Sequence, residues 1–429
     1  MNPVLVILAG GASSRMWPLS EKSLIRFRDK TLLETQLHEY IALGFQSIII
    51  VVNPANHDAI SDIATTFADV DIALVTQHEP LGMGDAILQA ADRIAQMGNP
   101  PIYIVQVHDI FEGALHRNIL AAQQAAPEKS YIAGYEVAQY FPGGYLITDE
   151  NRMISGIIEK PEPGTEPSDL VNIVAHMHAD PAALFNAIRD EYASSNPADD
   201  HYERAIGTLA ADMPYQAVVH RGEWYALKYP WHVLDIMNYY LNQITETYIA
   251  ESAFIAPTAA IVGKVYIGEN VKIFPGAGVV GPAYIGANTV VGNAALVRNS
   301  MVLNNCEVGF TTEIARSYVA NNVGMHACRV LDSVFAPHVN FSAGCTTANL
   351  RIDRGDVFSM VKGEKKSAQR NKLGAIIGES AFISVDAMTM PGIKIGRGAV
   401  VGPTTNVEAD LEDGHRIYVK QEHIIKGPK

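Results

Sequence analysis

The sequence predicts an α/β domain with a mainly parallel sheet of Rossmann-like type, followed by a parallel β-helix of six-residue repeats. Three observations predict it. Apolar runs alternate with helical stretches across residues 1–245. From Ile255 onward an aliphatic residue recurs every six positions. A helical stretch, Trp231–Thr247, lies between the two patterns and reads as their link. The expected division is therefore an α/β domain over 1–245 and a repeat domain over 250–429. A length of 429 residues fits two or three domains at roughly 150 residues each.

In the first half, Val4–Ala9 is a short apolar run with no basic residue before it, so it reads as a buried strand rather than a signal peptide. Leu32–Leu43 follows as a helix, Ser47–Val52 as a strand, Ala86–Met97 as a helix and Ile102–Val107 as a strand. Alternation of this kind builds a parallel sheet covered by helices. No apolar segment reaches the 18 or so residues that a membrane-spanning helix needs. The three cysteines, Cys306, Cys328 and Cys345, lack CxxC spacing, which argues against a disulfide scaffold or structural zinc. The expectation is a soluble, cytoplasmic protein with no membrane partner.

In the second half the series is Ile255, Ile261, Ile267, Ile273, Val279, Ile285, Val291, Val297 and Leu303. The register then breaks, and Ile377, Ile383, Ile395, Val401 and Val407 resume it, with Thr389 filling the gap. A period of six fits neither a helix nor an alternating strand. It fits short strands that turn a corner every six residues, with the aliphatic side chain inward. Glycine after the aliphatic position, as in Ile267-Gly268 and Ile285-Gly286, is expected to ease the corner. Successive coils would stack about 4.8 Å apart.

Lysine plus arginine number 32 and aspartate plus glutamate 46, a formal charge of −14. Such a surface repels nucleic-acid phosphate, so no nucleic-acid partner is expected. An anionic substrate would need cations gathered at one place. Two places qualify: Arg15 with Lys22, and the run Lys362–Lys372, which holds five Lys and Arg in eleven residues. The first follows the strand Val4–Ala9 and the loop Gly10-Gly11-Ala12-Ser13-Ser14-Arg15-Met16-Trp17-Pro18. A double glycine after a strand is often a plain turn. It can also bring backbone N–H groups to a phosphate. Neither GxGxxG nor a P-loop GK[ST] is present.

The loop LAGGASSRMWPLSEK resembles the signature of sugar-1-phosphate nucleotidyltransferases, and its WPLS is similar to mannose-1-phosphate guanylyltransferases. Gln77–Ala86, His108-Asp109, Gly143-Gly144-Tyr145, Glu159-Lys160-Pro161 and Asn172 follow in the family's order. The repeat half extends the resemblance to archaeal-type bifunctional sugar nucleotidyltransferase/acetyltransferases and to N-acetylglucosamine-1-phosphate uridyltransferases. That resemblance implies a left-handed β-helix and association as a homotrimer.

The resemblance implies a transfer in which a sugar-1-phosphate attacks a nucleoside triphosphate and pyrophosphate leaves. UTP or dTTP is favoured, and Mg²⁺ is the cofactor. Gly10, Gly11 and Ser13 would cradle the phosphates, and Arg15 and Lys22 would neutralise them. Gln77 and Gly82 would contact the base, Asp109 would hold the metal, and Gly144, Glu159 and Asn172 would hold the sugar. The family's second metal aspartate lies in a W-x-D-x-G-x-P segment. Here that segment is Trp224–Pro230, with Ala226 for the aspartate and Lys228 for the glycine. Alanine cannot ligate a cation, so a non-catalytic sugar-nucleotide-binding regulatory paralogue stands as an alternative.

By the same resemblance, the β-helix would transfer acetyl from acetyl-CoA to an amino sugar phosphate. His326 would be its base, Asn349 in Thr347-Ala348-Asn349-Leu350-Arg351 a substrate contact, and Lys362, Arg370 and Lys372 part of a basic loop serving the anions. A solvated loop and a trimerising scaffold are the plainer alternatives.

Overall fold

The computed structural model describes residues 2–19, 21–194 and 200–428. It divides into two compact units. One comprises Met1–Ala12 and Leu32–Ala226, the other Ser13–Thr31 and Leu227–Lys429.

The first unit is built on four parallel strands in the order Asp71–Thr76, Ser47–Val52, Val4–Leu8, Ile102–Gln106. Val4–Leu8 lies inside the sheet and every residue in it is buried. A parallel strand covered on both faces needs such an uninterrupted apolar run. Leu170–His178 then pairs antiparallel with Ile102–Gln106 and turns the sheet mixed. Beyond it come Gly144–Thr148 and Ile154–Glu159, and also Ser130–Glu136 and Tyr215–His220. The strand Asp109–Phe111 pairs separately, antiparallel to Trp224–Ala226. The expected helix Ala86–Met97 is instead two helices, Met83–Leu88 and Ala91–Gln96. No glycine or proline marks that break in the sequence.

In the second unit the link Trp231–Thr247 is shorter than expected. A 3₁₀ turn, Pro230–His232, leads into the helix Val233–Asn242. The repeats form three faces of stacked parallel strands, eight, nine and eight strands deep, as a left-handed β-helix. One core of inward aliphatics runs along it, from Val265 and Ile267 to Val401 and Val407.

The break read after Leu303 is not a break in the helix. Val302, not Leu303, pairs with Ile285, and Val319 pairs with Val302, so these coils are one residue shorter than the 18-residue repeat. Phe335 then pairs with Ile377, and the interval carries an inserted hairpin, Phe358–Val361 with Glu364–Ser367. A fixed six-residue ruler loses such coils although the ladder continues.

Glycine also serves another purpose than expected. A Cβ on Gly286 would lie 2.6 Å from the Leu303 carbonyl carbon in the next coil, so glycine there gives clearance between stacked backbones. The left-handed corner conformation falls to Asn270, Asn288, Asn305 and Asn322, with φ between 56° and 61°. Asparagine tolerates that conformation. The side chains of Asn270, Asn288 and Asn305 also hydrogen-bond in succession at 3.1 Å.

Candidate functional site

In the first unit the predicted residues gather at one sheet edge. Gly10, Asn53, Gln77 and Asp109 follow the C-terminal ends of the four parallel strands. Ala175 pairs antiparallel with Val105, so Asn172, upstream of it, falls at that same edge. Open α/β sheets bind their ligands at this edge.

The glycine loop is held from behind. Asn53 Nδ2 donates to the Gly10 carbonyl at 3.3 Å, and Asn56 Nδ2 to the Ala9 carbonyl at 2.9 Å. Neither asparagine was a sequence candidate, although Asn53-Pro54-Ala55-Asn56 after a strand is a loop signal. Gln77 is buried. Its Nε2 donates to the Gly82 carbonyl at 3.0 Å and to Asp85 Oδ2 at 2.8 Å. Both partners only accept, so the carboxamide orientation is fixed and Oε1 is turned towards Gly10. A Cβ on Gly10 would sit 2.8 Å from that oxygen. Glycine is needed there for space.

Asp109 is 5% exposed. Its Oδ1 accepts from Trp224 Nε1 at 3.2 Å, and its carbonyl accepts from Gln36 Nε2 at 2.9 Å. Ala226 is its direct antiparallel partner. Opposed residues of an antiparallel pair share a face with Cβ atoms about 5 Å apart. The alanine therefore stands where a second carboxylate would face the first.

Gly144, Glu159 and Asn172 meet. Gly144 pairs with Glu159 across two strands. A Cβ on Gly144 would lie 2.8 Å from Glu159 Oε2 and 3.6 Å from Asn172 Cβ. Glycine there gives clearance to the Glu159 carboxylate, with the Asn172 side chain close by. Asn172 Oδ1 contacts His176 Nε2 at 2.9 Å, a partner the sequence did not single out.

Ser13, Arg15 and Lys22 lie in the second unit. Ser13 has φ 48°, and its hydroxyl donates to Glu21 Oε1 at 2.7 Å and accepts from the Lys22 N–H at 3.3 Å. Arg15 is exposed. Two residues on, Trp17 Nε1 donates to Asp413 Oδ1 at 2.8 Å, and Lys394 Nζ sits 4.6 Å above the indole. Lys228 also belongs to this unit.

The acetyl-transfer candidates scatter. His326, exposed, follows the strand Gly324–Met325, at the corner between the second and third faces. Asn349 follows Thr346–Thr347, at the corner between the third face and the first. Its Nδ2 donates to Asp332, which Arg316 grips with two bonds of 2.6 and 2.7 Å. Lys362 is at the tip of the inserted hairpin, and Lys372 is exposed after it. Arg370 makes two bonds to Asp235 at 2.6 and 2.7 Å, so it ties the insertion to the helix Val233–Asn242. A single chain does not bring His326 and Asn349 to one corner. The three cysteines are buried and free, and burial pushes the Cys306 and Cys328 thiols up to about 12.

The profile of the family described as nucleotidyl transferase matches residues 4–227. The chain belongs to that family. It is 29% identical over 416 residues to a "Bifunctional sugar-1-phosphate nucleotidylyltransferase/acetyltransferase" of Sulfurisphaera tokodaii, covering 95% of this chain and 98% of the relative. It is also 29% identical over 426 residues to a "Bifunctional protein GlmU" of Methanococcus maripaludis, covering 98% of both. A solved structure of apo UDP-glucose pyrophosphorylase matches 57% of this chain and 99% of its own, with 19% identity and a TM-score of 0.49.

Asp109 is the residue to which the sequence resemblance assigns a metal. Mg²⁺ commonly takes one or two carboxylates and completes its shell with water and substrate phosphate. Asp109 supplies one carboxylate, and Ala226 opposite it supplies none. Among the described residues no group of three or more His, Cys, Asp or Glu is placed to hold a metal. The residues fit an ion held by one protein ligand. No helix of the described residues is long and apolar enough to cross a membrane.

Proposed function

We propose that this nucleotidyl transferase joins a sugar-1-phosphate to a nucleoside triphosphate, in the cytoplasm, and releases pyrophosphate. One observation carries the reading: Gly10, Gln77, Asp109 and Asn172 stand at one edge of one sheet. A sugar phosphate oxygen attacks the α-phosphorus, the α–β bridging bond breaks, and its electrons leave with pyrophosphate. The nucleophile is already ionised, so the protein's task is positioning and charge neutralisation.

Gly10 and Gly11 offer backbone to the phosphates, and Ser13 orders the following turn. Arg15 and Lys22 supply positive charge. Asp109 would hold Mg²⁺, which when bound neutralises phosphate charge. Gly144 makes room for the sugar, Glu159 accepts from its hydroxyls, and Asn172 donates to it. At the base, Gln77 has Nε2 taken by Gly82 and Asp85 and presents Oε1, an acceptor turned towards Gly10. The N3–H of uracil or thymine suits it, as does the N1–H of guanine, whereas adenine and cytosine offer it only an exocyclic amino group. UTP or dTTP is the favoured substrate, because in the proteins this chain resembles the repeat half accompanies uridyl or thymidyl transfer more often than guanylyl transfer.

Pyrophosphate release measured across the nucleoside triphosphates and several sugar-1-phosphates tests this. UTP or dTTP is expected to exceed ATP and CTP by about tenfold or more, the worth of one well-placed hydrogen bond. Silence with every pair, together with tight sugar-nucleotide binding, would instead make the protein a binding paralogue.

The printed names of its full-length relatives favour a second activity, acetyl transfer from acetyl-CoA by the β-helix. His326 is the proposed base, with Asn349, Lys362 and Lys372 beside the substrates. The separation of His326 from Asn349 within one chain suits a site that a neighbouring copy completes, as in a homotrimer. His326→Ala is expected to abolish acetyl-CoA consumption with glucosamine-1-phosphate, and unchanged consumption would remove His326 from that role.

A further inference from the structure

Behind Asn172 lies a chain of buried polar side chains that phosphate chemistry does not require. His176 Nδ1 meets the Tyr202 hydroxyl at 2.8 Å. The same hydroxyl meets His178 Nε2 at 2.8 Å, and His178 Nδ1 meets the Tyr215 hydroxyl at 3.1 Å. All four side chains are at most 1% exposed. Burying so many polar groups is tolerable only if each is paired.

The polarity of the chain can be worked out. His176 Nε2 faces two oxygens, Asn172 Oδ1 at 2.9 Å and the Ile173 carbonyl at 3.1 Å. The carbonyl can only accept, so Nε2 carries the proton. Burial pushes the pKa of His176 down to about 3, so the ring is neutral and its Nδ1 is an acceptor. Tyr202 must then donate to Nδ1. Its remaining lone pair accepts from Nε2–H of His178, whose Nδ1 accepts from Tyr215. Each bond has one donor and one acceptor, and the direction is set at Ile173.

We infer that this Tyr215–His178–Tyr202–His176 chain turns the carboxamide oxygen of Asn172 inward and so presents its NH₂ group, a donor of two hydrogens, to the sugar. Among the described residues no side chain or backbone group takes up that Nδ2. Glu159 Oε2, an acceptor, borders the same Gly144 as the Asn172 side chain, while Glu159 Oε1 is paired with Lys160 Nζ at 3.2 Å. The site then reads a donor–acceptor pair on the sugar ring. A hydroxyl fits Glu159, and an oxygen lone pair, from a hydroxyl or an N-acyl carbonyl, fits Asn172. His176 and Tyr202 are positioning residues, and the assignment rests on the sugar-transfer reading above.

The test uses the full chain and the substrate pair that wild type turns over fastest. His176→Leu deletes the Nε2 donor and is expected to raise KM for the sugar-1-phosphate about tenfold, leaving KM for the nucleotide within about twofold. His176→Gln places an amide N–H near the same point and is expected to recover most of that loss. A purely structural histidine would give no such rescue, or would move both KM values together, and either result overturns the inference. Should the variants not fold, wild type still decides through ¹⁵N NMR of histidine-labelled protein. His176 should show a protonated Nε2 and a bare Nδ1 from pH 8 to pH 6, and the opposite tautomer overturns the assignment. If wild type is silent with every substrate pair, the transfer reading fails, and with it the sugar role of Asn172. The tautomer measurement then still judges the polarity of the chain.

Discussion

Asp109→Asn is expected to lower nucleotidyl transfer about a thousandfold on the role proposed for this carboxylate in holding Mg²⁺, because a bound metal supplies several kcal/mol of charge stabilisation. The substitution keeps an oxygen for the Trp224 indole N–H, so the local pairing survives and the loss isolates the charge. The reverse experiment is sharper. Ala226→Asp places a second carboxylate directly across from the first. It is expected to lower the Mg²⁺ concentration for half-maximal rate by about tenfold, the scale of one added charged ligand. Measuring rate against Mg²⁺ for wild type and both variants checks the pair of statements. A rate that survives Asp109→Asn would remove the metal from this residue. An unchanged Mg²⁺ requirement in Ala226→Asp would mean that the two positions do not share one ion.

The Asp109–Ala226 pair also shows what the sequence could and could not reveal. Motif order alone aligned Ala226 with a missing aspartate, and the strand register then placed it opposite Asp109. Likewise Gly144, Glu159 and Asn172 lie far apart in the chain, yet family spacing grouped them and the sheet brings them together. The periodicity of six was legible because every inward residue must be apolar. It failed at Leu303 because a coil can lose a residue at a corner without disturbing the ladder, and only the pairing reveals that. The roles of the support residues were not legible, although the segments that hold them were. Asn53, Asp85 and Trp224 act through individual side-chain hydrogen bonds, which leave no periodic mark. Arg370 read as part of an anion-binding run, whereas its guanidinium is engaged by Asp235, 135 positions away. Tertiary pairing of this kind has no local signature.

A second large loss is expected from deletion of residues 250–429. The segment Ser13–Thr31, which carries Arg15 and Lys22, packs in the unit of the β-helix. Its anchors are specific. The Tyr318 hydroxyl donates to the Arg26 carbonyl at 2.6 Å. Phe27 packs between Tyr240 and Tyr318, with ring centroids 5.3 and 5.7 Å away. Trp17 is fixed by Asp413 on its edge and Lys394 over its face. Each aromatic or cation–π contact contributes about 1 kcal/mol and each hydrogen bond about as much. Together they hold in one conformation a segment whose only regular structure, among the described residues, is the 3₁₀ turn Lys22–Leu24 and the short hairpin Arg26–Phe27 with Lys30–Thr31. Without them the loop regains its conformational entropy, and Arg15 and Lys22 lose their positions. Misplacement of about 1 Å can cost a hundredfold in rate, so residues 1–249 alone are expected to lose transfer by at least about that factor. Trp17→Ala in the full chain separates this cause from misfolding. It should keep the melting temperature within a few degrees while lowering kcat about tenfold, since one anchor is lost and the others stay. A fragment 1–249 as active as the whole chain would show that the loop is ordered by its substrate and not by the β-helix.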